Sequence, residues 1–166
     1  MNAGRIDHIL TNDPYAGPMW RGFLAPDVRL PPRSVPDSPE LYVVNTAPSH
    51  APGEHWCVFF RDANRCDFFD SYGLPPSSYS LCPALPCSKH GGSNETIFYN
   101  PFQLQDFPDR TCGHHCLFFA LHRAQGFSLK QIINTKYNRY GLPKYNDDLV
   151  LNYIFTNYGP TLAAIQ

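Results

Sequence analysis

Hydrophobic residues cluster differently in the two parts of the chain, with short apolar runs first and longer helical segments later. Four runs are rich in β-branched and aromatic residues and are typical of buried strands: 41–46, 56–61, 65–70 and 96–100. The short polar stretch 62–64 predicts a tight turn and therefore a hairpin. Residues 1–40 contain seven prolines and predict turns and short elements.

Three helices are predicted after residue 110. The first covers 112–125, with Gly126 as its C-terminal cap. Ser128 is the predicted N-cap of a second helix over 129–138. Asn146 is the predicted N-cap of a third, which should stop at residues 159–160, a Gly-Pro pair.

Strands early in the chain and helices late in it indicate the α+β class. We expect a central, mostly antiparallel sheet packed against helices, the central helix beginning at Cys112. The length of 166 residues fits a single domain, 1–166. It divides into a loop-rich N-terminal part, a sheet part and a helical part: 1–40, 41–110 and 111–166.

Composition and charge limit the function classes. The net charge is -1, so the chain as a whole is no obvious polyanion binder. The segment 122–146 holds five basic residues and no acidic one, which predicts either a solvated face or a weak contact with nucleic acid or an acidic partner. No apolar run has the length of a membrane span, and no secretory signal is recognisable. We therefore expect an intracellular, unsecreted protein with reduced thiols.

Cys112 is the first candidate for chemistry. If a helix begins there, unpaired backbone N–H groups and the helix dipole stabilise a thiolate. Thiolates attack carbonyl carbons, and Gly113 would let a substrate approach closely. The alternative is a buried structural cysteine.

His55 and Asp70 are the candidates for a base and its partner. His55 begins one strand of the predicted hairpin and Asp70 ends the other, so both should lie at the same end of it. A two-residue turn at Asp62 and Ala63 would place them directly opposite each other. A carboxylate in that position holds an imidazole in the orientation that a base needs.

Acyl transfer also requires donors for the developing oxyanion. The side-chain amide of Gln105, seven residues before Cys112, can supply one, and the backbone N–H of Cys112 another. Gln103 is a weaker candidate for the same role.

Four motifs in one chain order resemble the adenovirus-type cysteine proteases (adenain). They are VNTA at 44–47, GEHW at 53–56, FFDSYG at 68–73 and Q-x6-CG-x2-C at 105–116. The related SUMO-deconjugating proteases share the order His, acid, Gln, Cys. The resemblance covers about residues 41–125.

The resemblance implies a role for each matching residue. Cys112 would be the nucleophile, His55 the general base, Asp70 its orienting acid and Gln105 the oxyanion donor. Asp70 stands where many adenovirus enzymes have glutamate, whereas the SUMO-type enzymes use aspartate.

The resemblance further implies a thiol endopeptidase that cuts after small or glycine-rich sites. A viral or virus-derived enzyme would process virion precursor proteins in the host nucleus or cytoplasm and in the virion, as a monomer. The alternative is a deconjugating protease for ubiquitin-like or SUMO-like modifiers. No cofactor is expected for the chemistry, although adenovirus enzymes are stimulated by DNA and by a viral peptide attached through a disulfide, for which Cys87 is the nearest candidate.

A zinc-binding interaction module is the non-enzymatic alternative. Cys112 and Cys116 share a helix face, and with Cys82 and Cys87 they could supply four thiolates. The spacing is loose, so we expect no metal and assign Cys116 to the core. Cys57 and Cys66 lie diagonally across the predicted hairpin, where reduced core thiols are favoured over a disulfide.

Overall fold

The fold is known from a computed structural model that describes residues 1–33, 35, 37–51, 53–63, 65–79, 81 and 96–163. The strands are β1 (Trp20–Leu24), β2 (Glu40–Asn45), β3 (Trp56–Asp62), β4 (Arg65–Phe69) and β5 (Thr96–Tyr99). The helices are α1 (Ala3–Asn12), α2 (Cys112–Ala124), α3 (Leu129–Gln131) and α4 (Pro143–Ala163). Short 3-10 and π-helical turns cover Pro76–Tyr79 and Ile132–Lys136.

The strands form one sheet in the order β1-β2-β3-β4-β5. The three central strands are antiparallel, as predicted, while β1 pairs with β2 and β5 with β4 in parallel. The sheet is therefore mixed, and the predicted α+β class is confirmed. The parallel edges arise because β1 and β5 reach the sheet through long connections rather than hairpins.

The β3–β4 hairpin has a different register from the predicted one. Asp62 pairs with Arg65, which leaves two residues between the strands, and Val58 pairs with Phe69. The ladder ends there, and Asp70 begins a turn in which the Gly73 N–H donates to the Asp70 carbonyl at 3.0 Å. The prediction that His55 and Asp70 lie directly opposite each other is wrong, because the turn begins one residue later than Asp62.

The main core lies between one face of the sheet and α2. Alternating strand residues point into it, including Val58 and Phe60 from β3. The rings of Phe69 and Phe119 stack with centroids 4.4 Å apart and fix α2 against the sheet. Eleven of the thirteen residues of α2 are buried, so this helix is central rather than amphipathic.

The predicted caps of α2 and α3 are confirmed. Gly126 follows α2 with φ +95°, a conformation that glycine adopts without a Cβ penalty. The Ser128 side chain accepts from the Gln131 N–H, and the Gln131 side chain accepts in return from the Ser128 N–H.

The limits of α4 differ from the predicted ones. The helix begins at Pro143, where a missing N–H costs nothing, and continues through Pro160 to Ala163. Asn146 is therefore no cap; its side chain bonds the backbone of Asn138. Leu162 packs against the core, which helps the helix to continue past the proline.

The N-terminal part is more regular than its prolines indicate. The ten-residue helix α1 is capped by Asn2, whose side chain accepts from the Arg5 N–H, and it buries Ile6, Ile9 and Leu10 in the core. None of the helices in the described ranges combines the length and apolar character that a bilayer crossing requires.

Candidate active site

Cys112 is the first residue of α2, as the sequence predicts. It is half-buried, unlike Cys57, Cys66 and Cys116, which are fully buried. Its sulfur accepts hydrogen bonds from the backbone N–H groups of Trp56 and Gly113. These donors, with the positive end of the helix dipole, favour the thiolate form.

His55 lies immediately before β3 and is hydrogen-bonded to both partners that the sequence predicts. Its Nε2 lies 2.6 Å from Oδ1 of Asp70. The side chains of His55 and Cys112 form a second hydrogen bond. Because Asp70 occupies Nε2, the Nδ1 atom is left for the thiol. The structure therefore brings Cys112, His55 and Asp70 into one hydrogen-bonded line.

The Asp70 carboxylate is fully buried and is surrounded by donors. Oδ1 also accepts from the Tyr72 N–H at 3.1 Å, and Oδ2 accepts from the Leu74 N–H and the Tyr79 hydroxyl, both at 2.9 Å. Such donors replace the water that an ionised carboxylate loses on burial. The donors also hold the carboxylate in one orientation beside the imidazole.

The pKa of the Cys112 thiol is lowered and the pKa of the His55 imidazole is raised, so each shift favours the charged form of its group. Burial alone would lower the pKa of His55, but the hydrogen bonds with Asp70 and Cys112 outweigh it and raise that pKa from 6.5 to about 9. Burial would raise the pKa of Cys112, but the hydrogen bonds with His55 and the Trp56 N–H lower it. Both shifts favour the thiolate–imidazolium form of the pair over the neutral form.

Gln105 is fully buried and lines the cavity that His55 and Cys112 also line. Its Oε1 accepts from the Ser71 hydroxyl at 2.7 Å, which fixes the orientation of the amide. Its Nε2 donates to the Asp109 carbonyl and, at 3.3 Å, to the Tyr72 hydroxyl. Gln103 instead donates to the Gln105 carbonyl at 3.0 Å, so it supports the loop rather than the cavity.

Two tyrosines at the site were not predicted from the sequence. The Tyr72 ring stacks on the His55 ring with centroids 4.6 Å apart, and the Tyr79 ring lies 5.9 Å from it. Tyr72 lies in the FFDSYG motif, two residues after Asp70. The correct β3–β4 register would have predicted its position beside His55. With the observed pairing, extension of the ladder would set residue 72 across from residue 55.

A buried network supports the loop that precedes Cys112. The Asp147 carboxylate of α4 accepts from the Thr111 hydroxyl at 2.5 Å and from the Asp106 N–H at 2.9 Å. Its Oδ1 also lies 2.8 Å from Nε2 of His115. These bonds tie α4 to both ends of the loop between Gln105 and Cys112.

Metal binding has little support among the described residues. One group there could hold an ion, His55, Cys57 and Asp70, whose donor atoms lie within 4.8 Å of one another. Burial raises the pKa of Cys57 well above its ordinary value, and the nearby carboxylate of Asp70 raises it further. A protonated thiol is a poor ligand.

The predicted four-thiolate zinc site cannot be traced here because residues 82–95 lie outside the described ranges. Of the two thiols that are described, Cys112 is hydrogen-bonded to His55. Burial raises the pKa of Cys116 well above its ordinary value, which opposes thiolate formation there.

Basic residues of segment 122–146 are partly engaged inside the protein. Arg123 is buried, and its Nε donates to Asp67 at 2.9 Å while its guanidinium lies over the Phe60 ring. The guanidinium of Arg139 lies over the rings of Phe102 and Tyr140. Arg123 is therefore unavailable for the nucleic-acid contact predicted from this segment.

The site opens into a cavity of about 520 Å³ that is lined by His55, Tyr72, Gln105 and Cys112, among other residues. The fold and the site define an α+β protein with a thiol, an imidazole and a carboxylate aligned beside an accessible cavity. No protein-family model matches the sequence. No curated protein matches it either.

Among solved structures, the chain is similar to a crystal structure of the ASFV pS273R protease, with 22% sequence identity and a TM-score of 0.40. The match covers 67% of this chain and 43% of that one, so it spans less than half of that protein's length.

Proposed function

We propose that the chain is a cysteine protease that hydrolyses peptide bonds, with Cys112 as nucleophile, His55 as general acid and base, and Asp70 as the residue that orients His55. The observation that carries the proposal is the continuous line of hydrogen bonds from the Cys112 thiol through His55 to Asp70. A buried structural cysteine would need neither a base nor an open cavity.

The chemistry follows from the charges of this line. The Cys112 thiolate attacks the substrate carbonyl carbon, and the C–S bond forms as the carbonyl electrons move to oxygen. His55 then gives its proton to the leaving amine as the C–N bond breaks. A water molecule gives a proton to His55, attacks the thioester and releases Cys112 as a thiolate.

Two donors are proposed for the oxyanion. The backbone N–H of Cys112 lies in the first turn of α2, where N–H groups have no intrahelical acceptor. The Gln105 amide lies at the same cavity with its orientation fixed by Ser71. Donors of this kind contribute about 3 kcal/mol each to transition-state stabilisation.

The substrate specificity is proposed from the sequence resemblance. Cleavage after a small residue or glycine fits the adenovirus-type motifs, and processing of virion precursor proteins would follow if the chain is viral. The aromatic side chains of Trp56, Tyr72 and Phe107 line the cavity, which is compatible with a substrate strand that has small side chains next to the scissile bond.

Activation, partners and location are proposed on the same basis. The chemistry needs no cofactor, while a viral peptide or DNA could raise the activity, and the enzyme would act as a monomer inside the host cell and in the virion. Residue 87, which would link such a peptide, lies outside the described residues.

The test is hydrolysis of fluorogenic peptides that carry Gly-Gly before the scissile bond. We expect turnover by the wild type and none by Cys112→Ala, with both proteins giving the same circular dichroism spectrum. Cleavage by the Cys112→Ala variant would overturn the assignment.

The alternative function as a deconjugase is separated by a second probe. A ubiquitin-like protein with a C-terminal electrophile should label Cys112 of a deconjugase and leave an endopeptidase with short-peptide specificity unlabelled. Labelling together with poor peptide turnover would favour the deconjugase.

A further inference from the structure

Tyr72 lies at the centre of the site although the proposed chemistry assigns it no role. Its backbone N–H donates to the Asp70 carboxylate, and its ring stacks on the His55 ring at an interplanar angle of 25°. The same ring stacks on Phe107, with centroids 5.1 Å apart. These contacts hold the phenol in one orientation at the wall of the cavity.

The hydroxyl of Tyr72 accepts a hydrogen bond from Gln105 and has a proton of its own to donate. The second N–H of Gln105 is used by the Asp109 carbonyl. Both amide protons of Gln105 are therefore occupied within the protein. Among the described residues, no acceptor is found for the Tyr72 hydroxyl proton.

Tyr72 also keeps that proton at the pH where the enzyme would work. Burial raises the pKa of Tyr72, and the nearby Cys112 thiolate raises it further. Tyr72 and Cys112 line the same cavity, and the Tyr72 ring stacks on the ring of His55, which is the partner of Cys112. A neutral phenol beside the nucleophile is a hydrogen-bond donor at the place where negative charge develops.

We infer that the Tyr72 hydroxyl is a catalytic residue that donates a hydrogen bond to the oxyanion in place of the Gln105 amide, and that Gln105 is a positioning residue that acts through Tyr72. This inference rests on the proposed protease function. During attack, the carbonyl electron pair moves to oxygen, and the oxyanion accepts from the Tyr72 O–H and the Cys112 N–H without proton transfer. The donation from Gln105 polarises the phenol and strengthens its own donation.

Tyr72→Phe tests the inference because it keeps the ring and removes only the hydroxyl. We expect kcat for a Gly-Gly fluorogenic peptide to fall about 100-fold, with KM changed less than about threefold. The rate of Cys112 alkylation by iodoacetamide should stay within about twofold, since alkylation forms no oxyanion. The exposed Tyr140→Phe is the matched control and should keep the wild-type kcat.

A peptide aldehyde gives a second readout that does not depend on turnover. It forms a hemithioacetal whose oxygen occupies the oxyanion position, so Tyr72→Phe should weaken aldehyde binding by about the same factor as it lowers kcat. Combining Tyr72→Phe with Gln105→Ala should add little further loss, because both act through one hydrogen bond to the substrate.

Three results would overturn the inference while leaving the protease function in place. These are an unchanged kcat in Tyr72→Phe, an equal loss of alkylation rate, or additive losses for Tyr72→Phe and Gln105→Ala. If the wild type neither turns over peptide nor binds the aldehyde, and Cys112 reacts like an ordinary thiol, the proposed function itself fails and the inference fails with it.

Discussion

The imidazole of His55 and the carboxylate of Asp70 are joined by a 2.6 Å contact between Nε2 and Oδ1, and Asp70 is fully buried. Asp70 follows β4 and His55 precedes β3, so the hairpin determines which side chains meet at this end of the sheet. The turn after Asp70 supplies two backbone N–H donors to the carboxylate. The end of β4 and the turn after it thus position the Asp70 carboxylate beside the imidazole and supply backbone donors to it.

Asp70→Asn is expected to lower kcat/KM by about 100-fold or more. The asparagine amide would donate to Nε2 and hold His55 in the tautomer that cannot accept the thiol proton. Steady-state kinetics checks this, with the exposed Asp148→Asn as control. Equal kcat/KM in the wild type and Asp70→Asn would show that the carboxylate does not act on His55.

The pH dependence of kcat/KM should be bell-shaped. Activity requires an unprotonated Cys112 and a protonated His55. It should therefore fall on the acid side below the ordinary thiol pKa, because the pKa of Cys112 is lowered, and on the alkaline side near 9, because the pKa of His55 is raised to about 9. An alkaline limb near 6.5 would mean that Asp70 does not stabilise the imidazolium.

Gly73→Ala should damage both stability and activity. Gly73 has φ +78°, and an added Cβ would lie 2.6 Å from the carbonyl carbon of Phe102. Gly22 is the matched control because its φ is +105° and nothing lies within 4 Å of its added Cβ. We expect a loss of about 1 kcal/mol in unfolding free energy for Gly22→Ala from backbone strain.

The loss for Gly73→Ala should be clearly larger, and kcat/KM should fall as well, because the displaced turn carries Asp70 and Tyr72. Urea unfolding and peptide hydrolysis measure the two effects. Equal unfolding free energies in the two variants, together with full activity of Gly73→Ala, would contradict this role of the turn.

Asp147→Ala should destabilise the fold by about 3 kcal/mol, because it leaves buried donors without an acceptor. The affected groups are the Thr111 hydroxyl, the Asp106 N–H and His115. Asp148→Ala, at the neighbouring exposed position, should change the unfolding free energy by less than about 0.5 kcal/mol. Similar values for both variants would show that α4 does not anchor the loop before Cys112.

Unfolding free energy should fall between pH 6.5 and pH 5. Burial lowers the pKa of His114 from 6.5 to about 4 and also lowers that of His115. In this range the unfolded chain binds protons at both residues more readily than the folded chain does, so acid favours unfolding. His55 is protonated in the folded chain throughout this range and half protonated in the unfolded chain at pH 6.5, so it offsets the loss by only about 0.4 kcal/mol.

Urea titrations of the wild type and His114→Gln at both pH values measure this effect. The wild type should lose about 1 kcal/mol or more on acidification. The variant should lose less, because glutamine does not titrate. The same loss in both proteins would exclude His114 as a contributor.

Much of the fold and of the site can be predicted from the sequence because it is determined by local sequence patterns. The apolar runs at β2, β3 and β4 reflect burial on both sheet faces, and Ser128 and Gln131 form a capping box that local chemistry alone determines. The prediction that His55 and Asp70 lie close together at one end of the hairpin holds although the predicted register is wrong. A shift of register by a residue or two leaves the ends of paired antiparallel strands near each other.

Features that depend on contacts between residues far apart in the chain cannot be predicted from local sequence patterns. The parallel pairing of β1 and β5 requires long connections that no short pattern encodes. The stacking of Tyr72 on His55 depends on the β3–β4 register, which differs from the predicted one because the turn begins one residue later. Asp147 is the acceptor of a buried network because α4 begins at Pro143 rather than after Asn146, the predicted N-cap.

The most direct test of the central claim is the pH dependence of Cys112 alkylation by iodoacetamide in the wild type and in His55→Gln, with the modified site identified by peptide mass spectrometry. In the wild type we predict fast alkylation that persists well below the ordinary thiol pKa. In His55→Gln the inflection should move up by one pH unit or more, to about the ordinary thiol value or above. Identical profiles, with Cys112 reacting as an ordinary thiol in both proteins, would contradict the thiolate–imidazolium pair.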